Sequence, residues 1–197
     1  RTGHNCVQNC RIYECTQIYY SAIGVYIADS YSNYIGHNDI HDLKYSGISC
    51  GWVWGFTKSV SRDNIIEYNH IYRLGDGQMS DMGGVYLLGP QGGTVVRGNH
   101  IHDIVKANYG GWGIYLDEGS SYVVVEKNIV HHTASETLYM HYGRENNIRY
   151  NLLAFGGLGA VGIGKRGIYT QGSFQKNILV TDRQAIFQGG YAYNFEP

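Results

Sequence analysis

Two acids stand side by side at the end of an apolar run, Asp117 and Glu118 in GGWGIYLDEGSS (residues 110–121). A third, Asp81, lies in the glycine-rich stretch GQMSDMGG (77–84), and His141 with Arg144 opens HYGREN (141–146). Two carboxylates flanking one bond can hydrolyse a glycoside: one protonates the leaving oxygen, while the other attacks the sugar or activates water. Adjacent residues of a strand point to opposite faces, so Asp117 and Glu118 cannot act as one unit. With Ile114 and Leu116 pointing into a core, Tyr115 and Asp117 point outward. Glu118 falls at the start of the Gly119 turn and reads first as a turn acid.

Around these acids the aromatic residues are dense. Tyr26, Ser49, Tyr86, Tyr115, Tyr139, Tyr169 and Phe187 align in one outward column, and the next column carries Asp117 beside His141. Rings stack on the C–H faces of a sugar, whose hydroxyls need donors and acceptors, so an aromatic column beside an acid and a histidine suits an oligo- or polysaccharide. The same column can also serve only to stabilise a sheet. Loops carrying Trp52 and Trp54 (GWVWG), Asp81, and Tyr109 with Trp112 (NYGGWG) favour a groove walled by Trp52, Trp112, Tyr115 and Tyr86. Arg144 has three readings: binding a substrate oxygen, orienting an acid, or pairing with Glu145. A histidine beside Asp117 favours its ionised form and hence a nucleophile or base, with Asp81 the weaker candidate for the raised-pKa acid, and the sequence leaves the two roles unassigned.

The elements that must position these groups repeat along the chain. Asn38-Asp39-Ile40, Asn69-His70-Ile71, Asn99-His100-Ile101, Asn128-Ile129-Val130, Asn151-Leu152-Leu153 and Asn177-Ile178-Leu179 recur 23 to 31 residues apart, with Cys10-Arg11-Ile12 as a degenerate first copy. A second column runs Gly24-Val25-Tyr26, Gly47-Ile48-Ser49, Gly84-Val85-Tyr86, Gly113-Ile114-Tyr115, Thr137-Leu138-Tyr139, Gly167-Ile168-Tyr169 and Ala185-Ile186-Phe187. A third holds Ile35, Ile66, Val96, Val125, Ile148 and Phe174, each three residues before an asparagine. Three short apolar strands per repeat, with loops of variable length, predict an all-β fold: a right-handed, single-stranded parallel β-helix of six to seven coils. Residues 1–197 read as one such domain. The asparagines are expected to stack at a bend, and Glu67, Arg97, Glu126 and Arg149 to form an exposed row of alternating charge.

Composition agrees with many strands and tight turns: 28 Gly, 19 Tyr and 2 Pro in 197 residues. Lys plus Arg is 15 against 16 for Asp plus Glu, which leaves no basic field for nucleic acid or an anionic membrane. No apolar run of about 18 residues predicts a membrane span. Cys6, Cys10, Cys15 and Cys50 lack metal-site spacing and read as buried free thiols. His41, Tyr72, His102 and His131 share a column that a tyrosine interrupts; it reads as stacked turn residues, and no metal or other cofactor is assigned.

The ordered set SDMGGVYLLG, VVRGNHIHDI, GGWGIYLDEGSS and HYGRENNIRYNLLAF resembles right-handed parallel β-helix proteins related to glycoside hydrolase family 141, over about residues 34 to 180. The resemblance implies a secreted, periplasmic or cell-surface hydrolase of plant or host glycans, with Asp81 and Asp117 as the catalytic pair. Relative to that family an N-terminal coil cap and an extra β-domain are lacking, so a fragment of a longer protein is expected. Two other classes stay open. A polysaccharide lyase would draw its base from the adjacent Lys165-Arg166 pair, and a non-catalytic β-helix would bind glycan or serve as structure.

In this reading Asp81 lies before Gly84 and Asp117 after Gly113, so extended segments would keep the two acids apart. The Gly83-Gly84 pair is expected to bend the first loop back over the strand.

Overall fold

The computed structural model describes residues 2–164, 169–189 and 195–196. They form a parallel β-helix. Three sheets of eight, seven and seven strands run the length of the stack, and every pairing between coils is parallel. A typical coil passes through Val95–Arg97 in the first sheet, His100–Ile104 in the second and Trp112–Leu116 in the third. Register follows the repeat: Val96 pairs Ile66 and Val125, Ile101 pairs Ile71 and Val130, and Ile114 pairs Val85 and Leu138. These three columns are fully buried and fill the inside of the coil. Among the described residues there is no helix long and apolar enough to cross a membrane.

The turn between the first two sheets has a specific chemistry. The residue before each asparagine takes a left-handed backbone conformation, as in Tyr68 (φ 53), Lys127 (φ 57), Tyr150 (φ 58) and Lys176 (φ 54). That conformation costs a residue with a side chain about 1–2 kcal/mol. The asparagine that follows offsets it. Asn69 Nδ2 donates to Asn99 Oδ1 at 3.0 Å, and Asn99 Nδ2 donates to Asn128 Oδ1 at 3.0 Å. The same oxygens accept the backbone N–H of the preceding asparagine, and each Nδ2 also reaches a carbonyl, Ile66 O in the case of Asn99. The pattern runs unbroken from Asn38 to Asn177, and Cys10 joins it by donating its N–H to Asn38 Oδ1. A second carboxamide column, Asn5–Asn33–Asn64, lies at another bend of the first coils and carries no repeat clear enough to read from sequence.

Several sequence expectations need correction. Glu67, Arg97, Glu126 and Arg149 do form one row of alternating sign, with Arg97 bonded to Glu67 and Arg149 to Glu126 at 2.8 Å. The row is not evenly exposed, because the arginines lie over the acids and leave Glu67 and Glu126 buried. In the third sheet Leu138 pairs with Val161, so Ala160-Val161-Gly162 takes the place expected for Gly167-Ile168-Tyr169, of which Gly167 and Ile168 lie outside the described residues. Phe187, not Ile186, then pairs Val161, a slip of one residue. Cys50 is buried, but Cys6, Cys10 and Cys15 are exposed free thiols, since they lie on the first coil at the end of the stack.

Asn99→Ala removes one link of the carboxamide chain and leaves buried donors of Asn69 unpaired. Because each unsatisfied buried group costs about 1–3 kcal/mol, the expected loss is roughly 2–4 kcal/mol in urea unfolding. Lys58→Ala, on an exposed loop, should stay within about 0.5 kcal/mol of the parent.

Candidate functional site

Asp117 closes the strand Trp112–Leu116, and its outward direction follows from the burial of Ile114 and Leu116. Outward does not mean exposed here: Asp117 is only 6% accessible and Tyr115 only 4%. Loops from neighbouring coils fold over this part of the third sheet and leave a cavity of ≈ 530 Å³ lined by Asp81, Asp117, Glu118, His141, Trp112 and Tyr115, together with Trp54, Lys106, Tyr109, Glu136 and Tyr139.

Asp81 reaches this cavity by its own backbone. It sits in the left-handed region (φ 58), a conformation that aspartate tolerates better than most residues. Its N–H donates to Tyr109 O at 3.0 Å, and Tyr45 Oη donates to its carbonyl at 3.0 Å. Gly110 permits this approach, since a Cβ there would stand 2.6 Å from Asp81 N. The bend is therefore at Asp81, and the expected bend at Gly83-Gly84 is corrected: both glycines belong to the strand Gly83–Leu87. A similar approach at Gly119, where a Cβ would meet Gly55 O at 2.0 Å, seats the 51–58 loop and brings Trp54 to the cavity.

The two acids have opposite electrostatic surroundings. Asp117 accepts from Tyr86 Oη at 2.7 Å and contacts His141 Nδ1 at 3.0 Å. Burial acts to raise its pKa, but the bonds from His141, Tyr86 and Tyr115 and the Glu118 N–H outweigh it, so the group sits below its ordinary value. Burial also raises Asp81, the Asp117 charge adds to it, and the Tyr115 and Tyr109 hydroxyls oppose it only in part, so Asp81 sits above its ordinary value. Tyr115 Oη donates to Asp81 Oδ1 at 3.2 Å. Burial and the neighbouring carboxylates push the Tyr86 and Tyr115 hydroxyls far up, which keeps both protonated as donors.

Of the residues named from sequence, Asp81, Asp117, Glu118, His141, Trp112 and Tyr115 line one cavity, and Tyr86 supports Asp117 beside it. Glu118 faces the cavity while accepting from Tyr142 Oη at 2.7 Å. Two do not join. Trp52 packs edge-on against Tyr26 and Trp54, half exposed, so Trp54 takes its place. Arg144 lies over the rings of Phe56, Tyr122 and Tyr169, away from the acids.

Glu136 escapes sequence reasoning for a physical reason. Strict alternation back from buried Leu138 points Glu136 inward, yet Glu136 and its partner position Trp112 face the cavity. The turn into the strand points residues 113 and 137 inward instead: a Cβ on Gly113 would meet Val130 Cγ1, and Thr137 is fully buried. Trp112 Nε1 then donates to Glu136 Oε2 at 2.8 Å, and the indole stacks on Tyr139 at 4.2 Å. Lys106 is held by Ser135 Oγ at 2.9 Å. Trp54 and Tyr109 sit in the quoted aromatic loops, which was their only signal.

Comparison with known proteins matches residues 60–193 to the family described as right handed beta helix region. No curated protein matches the chain. A solved structure named "Glycoside hydrolase" aligns with a TM-score of 0.60 and 24% identity over 94% of this chain. This chain spans 26% of that protein's length, and at this identity the likeness is one of fold.

The opposed titration of the two acids can be checked without a substrate. By carboxyl-carbon NMR, Tyr86→Phe should raise the Asp117 pKa by removing a donor to its charged form. Asp117→Asn should lower that of Asp81 by removing a like charge.

Proposed function

The chain belongs to the right handed beta helix family, and we propose that it is a carbohydrate-active member, a glycoside hydrolase whose paired carboxylates are Asp81 and Asp117. The observation that carries the reading is the opposed tuning of these acids within one cavity walled by Trp54, Trp112 and Tyr139. Asp117, kept ionised by its donors, is the nucleophile or general base. Asp81, buried beside that charge, holds its proton longer and is the general acid that protonates the leaving oxygen. Tyr86 and His141 fix the direction of the Asp117 carboxylate, while Tyr115 Oη steadies Asp81.

The lining also narrows the substrate. Asp81, Asp117, Glu118 and Glu136 face the cavity against one ammonium, Lys106. Such a surplus of negative charge repels a uronate, so the substrate is a neutral glycan. It also disfavours a lyase, whose proposed Lys165-Arg166 base lies outside the described residues.

Asp117→Asn and Asp81→Asn should each lower turnover of a hydrolysed neutral glycan by roughly 10³-fold with folding intact by circular dichroism. His141→Ala should fall between these and Glu118→Gln, whose loss should stay under about tenfold. In the parent, kcat/KM should rise with pH as Asp117 ionises and fall as Asp81 loses its proton. Near-parent turnover by Asp117→Asn would sink the assignment.

A further inference from the structure

Histidines concentrate on the outer face of the second sheet, on a different side of the coil from the cavity. The column seen in the sequence is real: Tyr72, His102 and His131 stack with ring centroids 5.2 and 4.8 Å apart. The structure adds His70 and His100 from the neighbouring position, stacked on each other at 5.0 Å. One ring nitrogen from each of His70, His100 and His102 lies within 4.8 Å of the other two.

The protons of this cluster do not balance well. Asp103 Oδ2 lies 2.9 Å from His102 Nδ1, and Asp39 Oδ1 lies 3.3 Å from His70 Nδ1. A carboxylate at Nδ1 holds the ring proton there and leaves Nε2 as a lone pair. Yet His70 Nε2 and His102 Nε2 face each other at 2.9 Å. Two lone pairs at that distance repel unless a proton or a metal ion stands between them. His100 Nε2 also meets His131 Nε2 at 2.9 Å. Asp39 Oδ1 is buried and its 3.3 Å approach to His70 Nδ1 falls short of a well-formed hydrogen bond, so the tautomer is held firmly only at His102.

We propose that His70, His100 and His102 bind one divalent transition-metal ion of the kind that favours imidazole, with Asp39 and Asp103 orienting two of the ligands from behind. Zinc–imidazole bonds of about 2.0–2.1 Å at tetrahedral angles set two nitrogens about 3.3 Å apart, so the rings must rotate to draw in a spread of up to 4.8 Å around the ion. A carboxylate–histidine–metal arrangement both selects the tautomer and strengthens the ligand. His70 belongs to one coil and His100 with His102 to the next, so the ion would clasp adjacent coils together. Oxygen-seeking ions such as Ca²⁺ do not suit this donor set.

The test is equilibrium dialysis of the untagged full chain against ZnCl₂, with metal counted by atomic emission and thermal melting followed in parallel. The parent should take up one saturable Zn²⁺ and melt at a higher temperature with it, whereas CaCl₂ should do neither. The double variant His70→Gln/His102→Gln should lose affinity at least ~100-fold. Asp103→Asn keeps every ring in place and should weaken binding about 10–100-fold, which decides the matter if the double variant fails to fold. A parent that takes up no zinc, or an Asp103→Asn protein that binds it as tightly as the parent, overturns the proposal.

Discussion

The fold hangs on a hydrogen-bonded corner. A parallel coil must turn sharply from its first sheet to its second, and it does so by holding the residue before each asparagine in the left-handed region, Gly98 in one coil and a residue with a side chain in the others. Left alone, each of these residues other than Gly98 would destabilise the stack by roughly 1–2 kcal/mol. The buried asparagine that follows accepts two N–H groups and donates two, so its carboxamide is fully hydrogen-bonded. Because each carboxamide bonds the next coil, the same interaction sets the register between coils. Aliphatic columns then align without further specification.

Register at the corner has consequences on the other side of the coil. Once Val85, Ile114 and Leu138 are stacked, the residues after them project from the third sheet at a fixed spacing, and Tyr86, Tyr115 and Tyr139 form a wall. Asp117 and His141 stand in successive coils at the next position and meet at 3.0 Å. The loops can vary in length because they do not hold the stack, and in varying they roof this wall. Asp81 and Trp54 arrive that way. Burial under the roof gives the cavity its electrostatics: desolvation raises Asp81, whereas Asp117, with enough donors, stays below its ordinary value.

Solvent-facing columns behave differently on the other two sheets. On the first, arginines cover the acids Glu67 and Glu126 and the charges cancel pairwise. On the second, like groups stack instead, and the histidine rings meet nitrogen to nitrogen. A solenoid repeats whatever stands at a position, so one face becomes a neutral ladder and another a concentrated ligand set.

By itself the sequence determined the coil. The asparagine spacing, the three aliphatic columns and the alternation that turns Asp117 outward are all local or periodic properties, and periodic hydrophobicity maps directly onto a stack of strands. It also named most of the cavity, because Asp117, Tyr115 and His141 lie in strands or at their ends, where register alone sets direction. What it could not decide rests on loops and corners. Trp54 rather than Trp52 reaches the cavity because Gly119 lets the loop seat against it, and Asp81 arrives through its own left-handed backbone and the carbonyl of Tyr109. Arg144 turns to a cluster of rings contributed by three separate segments, and Glu136 faces out because the turn into its strand breaks the alternation. The placements of Trp54, Asp81 and Arg144 depend on contacts between segments more than 20 residues apart, which only the stacked coils bring together.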